Sequence, residues 1–146
     1  MALITYNDKS NYQSSSLANE YKVTANDMNE IKTAINNSTT YSTTETIVGT
    51  DKNGKPIYRK VIDVGNLPNN SSKQIAHSIS NLKAIKDSNI EVSNGTSTFK
   101  LPFVSSAGLE YTISYYIDST NITITTGTDR SAFSGEATIE YTKTTD

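Results

Sequence analysis

The chain has 146 residues, of which 34% are hydrophobic and 19% charged, with 13 Lys and Arg against 15 Asp and Glu, one His, no Cys and no Trp. The lack of Cys excludes a disulfide framework and thiolate metal sites, and the dispersed charge, formally -2, argues against nucleic acid as a partner. No stretch reaches the roughly 18 apolar residues of a membrane span, and residues 1–20 lack a charged-then-apolar leader. The expected protein is soluble, made in a cytoplasm without a secretion signal and not inserted in membrane. Such low apolar content, combined with nine Tyr and alternating Ile and Val, points to a thin strand-rich protein stabilised in part by copies of itself.

Residues 1–22 form an N-terminal arm. It opens on the β-prone Ala2-Leu3-Ile4-Thr5-Tyr6 and continues as a polar, aperiodic run. Such an arm can add a strand to a neighbour's sheet edge or fold back on its own domain. Residues 23–38 read as a helix, with Thr24 at the N-cap and Asp27 supplying the acid favoured in the first turn. Met28, Ile31 and Ile35 recur at helical spacing as a thin apolar stripe. A helix of this length is marginal alone, and the polar remainder offers it no obvious wide groove, so the stripe is expected to face a threefold axis. Asn36 to Thr40 read as a loop in which Asn takes the left-handed C-terminal position.

Residues 41–146 read as an antiparallel, sandwich-like β domain. Tyr41–Thr50 and Ile57–Val64 are β-prone and flank Asn53-Gly54, a strong hairpin signal. The Asp51-x-Asn53-Gly54 spacing resembles the start of a calcium loop, but no bidentate acid follows at the required distance. Beyond the turn-rich residues 65–72, Ile75, His77 and Ile79 fall on one face of a strand, which makes His77 a hydrogen-bonded core residue rather than a ligand. Leu82–Asp87 and Ile90–Val92 continue the sheet, and Pro102 marks Phe99–Phe103 as an edge.

The last third alternates most clearly. Tyr111, Ile113, Tyr115 and Ile117, then Ile122 and Ile124, then Ala137, Ile139 and Tyr141 predict a three-stranded meander. Its longest loop, residues 127–135, holds Asp129, Arg130 and Phe133, which either face a receptor or stabilise the loop itself. Tyr116, on the polar face of its strand, is a second candidate for stacking on a saccharide or a protein. Nucleophile elbow, phosphate-binding glycine loop and His-Glu-x-x-His helix are absent, and one His without Cys leaves no triad. A two-carboxylate glycosidase needs no motif, but the chain has no Trp to platform a sugar. The expectation is a non-enzymatic protein with no cofactor and no metal.

Three stretches carry a family resemblance: Lys22-Val23-Thr24-Ala25-Asn26-Asp27-Met28-Asn29-Glu30-Ile31-Lys32; the hairpin from Gly49-Thr50 through Gly54-Lys55-Pro56-Ile57-Tyr58-Arg59-Lys60, continued by Leu67-Pro68-Asn69 and His77; and the finish from Tyr116-Ile117-Asp118 through Thr126-Gly127-Thr128-Asp129-Arg130-Ser131 to Glu140-Tyr141-Thr142-Lys143-Thr144. In this order they resemble short tail fibre and receptor-binding proteins of tailed bacteriophages, particularly those of Gram-positive and gut bacteria. The resemblance implies a virion location, an arm that attaches to other virion or baseplate proteins, a three-helix stem, and a trimeric β tip that meets a host-surface saccharide or protein. An alternative is a purely structural phage component, such as a head fibre, decoration protein or baseplate adaptor. The chain departs from its relatives in having His77-Ser78-Ile79 where they tend to have His-Gly-Ile, and in passing from stem to hairpin at Tyr41 without a shaft.

Overall fold

The computed structural model describes residues 25–146, so the N-terminal arm, Val23 and the Thr24 cap lie outside the described residues. Helix α1 spans Ala25–Thr39 with Asp27 in its first turn. Asn26 Nδ2 donates to Glu30 Oε1 at 2.5 Å across one turn. At the other end the hydroxyls of Thr39 and Thr40 both donate to Asn36 O, at 3.1 and 2.6 Å, covering a carbonyl in the last turn. Asn36 and Asn37 therefore stay helical, and the predicted left-handed Asn is replaced by hydroxyl capping.

The rest of the described chain is β, in two antiparallel sheets. Its strands are β1 Thr46–Thr50, β2 Pro56–Asn66, β3 Ser72–Ala76, β4 Leu82–Ser93, β5 Thr98–Leu101, β6 Ile113–Ile117, β7 Asn121–Thr126 and β8 Ser134–Lys143. The larger sheet has the order β1-β2-β8-β4-β5, and the smaller β3-β7-β6. Alternation along β2, β4 and β8 turns Ile62, Val64, Ile90, Val92, Ala137 and Ile139 inward against Ile113, Ile122 and Ile124 of the smaller sheet, giving one shared core. Tyr115 OH and Ser88 Oγ meet across the two layers at 2.9 Å.

The expected hairpin forms between β1 and β2, with a five-residue connection, residues 51–55. Gly54 takes φ 76°, and Asp51 Oδ1 accepts the amides of Asn53 and Lys55 at 2.8 and 3.0 Å. The two stretches read around residues 82–92 are one long bulged strand, β4, and β5 is the edge that Pro102 implied. Residues 41–45 do not pair as a regular strand, although Ser42 O accepts from Val61 N at 2.8 Å.

The predicted meander is corrected. β6 and β7 pair as expected, but β8 leaves them and inserts between β2 and β4 in the other sheet. Alternation identifies the buried face of a strand and carries no information on which sheet receives it. Residues 127–133 are thus a crossover between layers.

His77 is 1% exposed and just past the end of β3. Ile79 N donates to its Nδ1 at 3.1 Å, so the ring is neutral with the proton on Nε2, which lies 3.2 Å from Asp118 O. It is the core histidine expected, held in a turn rather than on a strand. Lys60 Nζ closes this turn by donating to the carbonyls of His77 and Ser78 at 3.0 and 3.2 Å. Within it Ser78 has φ 51°, a left-handed conformation that costs an L-residue about 1–2 kcal/mol. Glycine would remove that cost while loosening the unfolded chain by about 0.4–1 kcal/mol. Ser78→Gly is therefore expected to raise stability by about 0.5–1 kcal/mol in urea unfolding, and a loss of stability would contradict the geometry.

Candidate functional site

Residues 66–71, 103–112 and 127–133 are laced into one loop cluster. Leu67 N donates to Phe133 O at 2.8 Å, Arg130 N to Pro68 O at 3.2 Å, and Thr126 Oγ1 to Pro68 O at 2.9 Å. Beneath them Phe99 stacks on both Phe103 and Phe133, with centroids 4.4 and 5.2 Å apart. The Arg130 guanidinium lies over the rings of Phe99 and Phe133, at 5.9 and 5.7 Å, and its Nη2 donates to Tyr111 O at 3.1 Å. The aromatic ladder holds the three loops in register, and Arg130 ties its top to the third.

This uses up most of the loop residues singled out in the sequence. Asp129 Oδ1 accepts from Ser131 N and Oγ at 2.9 and 2.7 Å, contacts that hold its carboxyl below the usual range and shape the turn. Phe133 is 7% exposed, so the expectation that it faces a receptor is corrected: its ring closes the core where the chain crosses between sheets. Arg130 is a positioning residue for the cluster. Asp129 stays at the surface with one carboxylate oxygen committed to its own loop.

Tyr116 has a different setting. It stands on β6, an edge of the smaller sheet, is 57% exposed, and lies in a cross-strand row with Thr123 of β7 and Gln74 of β3. Thr123 is 4% exposed and its hydroxyl has no hydrogen-bond partner. The structure leaves this ring at the surface and separates it from the loop residues, so the four candidates do not form one constellation.

Met28, Ile31 and Ile35 also remain at the surface, 41%, 50% and 45% exposed. At 100° per residue the opposite face carries Asn26, Thr33 and Asn37, and these line a groove of about 590 Å3 against Ile47 and Thr50 of β1. The helix turns its polar side to the edge of its own sheet and its apolar stripe away.

One cluster was missed in the sequence. Tyr141, fully buried, donates to Glu45 Oε2 at 2.5 Å, and Lys143 Nζ donates to Glu45 Oε1 at 2.6 Å. Glu45 thereby fastens residues 41–45, the link between α1 and β1, to the last strand. No family model, curated protein or solved structure matches the chain. Among the described residues no group of three or more His, Cys, Asp or Glu is placed to hold a metal ion, and no helix is long and apolar enough to cross a membrane. Sequence spacing held no signal for the Glu45 contacts, because its partners lie almost a hundred residues away.

Glu45 also sets a pH dependence. Burial alone would raise its pKa, but the hydrogen bonds from Lys143 and Tyr141 and the charges of Lys143 and Lys60 outweigh it and hold the carboxyl below 4.5. A depressed folded-state pKa contributes stability that is present above the unfolded value and lost as pH falls through the folded one. Asp51 and Asp118, held low by backbone amides, act in the same direction. The protein is expected to lose stability below about pH 4.5. Glu45→Gln should lower the melting temperature at pH 7 and flatten the acid decline; a variant whose acid decline matches the parent's would exclude this role.

Proposed function

We propose that the chain is a non-enzymatic virion protein of a tailed bacteriophage, a homotrimeric tail fibre or baseplate tip. Its arm attaches to other virion proteins, and its β domain binds the host surface, most naturally a saccharide. The observation that carries the reading is the exposed stripe Met28, Ile31 and Ile35 on a helix ahead of a small β-sandwich. Burying such side chains contributes about 1.5–3 kcal/mol each. Met28, Ile31 and Ile35 start half-exposed, so the seam draws on part of that gain in each chain, set against the cost of association. The Ile residues at successive seam positions favour more than two strands, and the ordered family resemblance points the same way.

A trimer also gives shallow sites a purpose. Single contacts of about millimolar Kd, roughly -4 kcal/mol, become useful once three act on one surface. The second reading, a structural phage component without receptor contact, is favoured by one observation: the loop cluster commits Arg130 and Phe133 to its own framework. Binding of labelled full-length protein to cells of the phage's host separates the two. Saturable binding that competes with phage adsorption, reduced at least tenfold by Ile31→Asp, is expected of a trimeric tip. No saturable binding at tens of micromolar would assign the chain to the second reading.

A further inference from the structure

The outer face of the smaller sheet combines two features. It is uncharged along two adjacent cross-strand rows, Gln74, Thr123 and Tyr116 in one and Ser72, Thr125 and Ser114 in the next. It also holds an exposed aromatic ring, Tyr116, beside a hydroxyl that is buried without a partner, Thr123 Oγ1. The outer face of the larger sheet contrasts with it: Asp63, Glu136 and Glu91 stand in register there, followed by Lys100.

We infer that the outer face of the β3-β7-β6 sheet is a binding surface for a neutral saccharide, an inference that rests on the host-binding reading above. Tyr116 offers the apolar ring face that a pyranose covers, with the phenol at its wet edge. The amide of Gln74 supplies two donors and an acceptor, and the Thr123 hydroxyl supplies one donor and two acceptor positions, the mixture that sugar hydroxyls require. Ser72 Oγ and Thr125 Oγ1 already share a hydrogen bond of 2.7 Å, which fixes the neighbouring row as a level floor. The absence of Lys and Arg from both rows selects against phosphorylated or sialylated glycans, which draw on cationic donors. A buried hydroxyl with no partner is uncommon in a folded protein, and a sugar hydroxyl entering between the Gln74 and Tyr116 side chains would satisfy it.

The test uses the full-length protein on an array of neutral oligosaccharides of glucose, galactose and N-acetylglucosamine, with sialylated and phosphorylated glycans beside them, and host-cell binding measured in parallel. Neutral glycans are expected to bind. Tyr116→Ala should reduce that binding at least tenfold, Thr123→Val several-fold, and Tyr116→Phe little, each with unchanged sedimentation and melting temperature. Neutral-glycan binding that survives Tyr116→Ala and Thr123→Val would move the site elsewhere and leave the host-binding reading standing. Cell binding with no neutral glycan bound, or with charged glycans alone, would overturn the saccharide assignment only. A change of oligomeric state in Tyr116→Ala would make this face a contact between copies and overturn the proposal. Failure of the wild-type protein to bind both cells and array would remove the reading and the inference together.

Discussion

The structure depends on where its last strand goes. β8 is hydrogen-bonded on one side to β2 and on the other to β4, and Ala137, Ile139 and Tyr141 along it are fully buried. The larger sheet cannot close until the C-terminal residues arrive, so pairing joins segments some eighty residues apart in sequence. Such non-local pairing makes for slow folding, and the two halves of the sheet expose pairing edges until it completes. The crossover that delivers β8 is the same stretch that builds the loop cluster, which explains why Phe133 is core and Arg130 is framework. A loop required to turn the chain between layers has little freedom left to offer a ligand.

A second dependence runs from β8 outward to the helix. Through Glu45 the terminal strand holds the link between α1 and β1, pairing a carboxylate with a buried phenol and an ammonium group. The phenol keeps its proton because burial and then the adjacent carboxylate push its pKa far above the ordinary value. The helix itself faces its sheet with Asn26, Glu30, Thr33, Ala34 and Asn37 and leaves Met28, Ile31 and Ile35 outward. In the proposed trimer the outward stripe becomes the seam.

Much of this was legible in the sequence. The helix, the hairpin around Asn53-Gly54, the core role of His77 and the edge at Pro102 all rest on local signals, whose physics is complete within a few residues. The strand faces were also readable, since a period of two follows directly from the pleat. Three features were not. The placement of β8 depends on which partner edges are open, which alternation does not encode. The helix end depends on the Thr39 and Thr40 hydroxyls both donating to Asn36 O, which keeps Asn36 and Asn37 helical. The pairing of Glu45 with Tyr141 and Lys143 joins residues that only the finished sheet brings together. For the candidate surface, the exposure of Tyr116 followed from alternation, whereas the burial of Phe133 did not, because it sits in a loop without a period.

The central claim is that the helical stripe exists to join three chains. Sedimentation equilibrium of the purified full-length protein at micromolar concentration measures this directly. The account predicts a single species of three times the 15.9 kDa chain mass. A clean monomer over the same concentration range would contradict it.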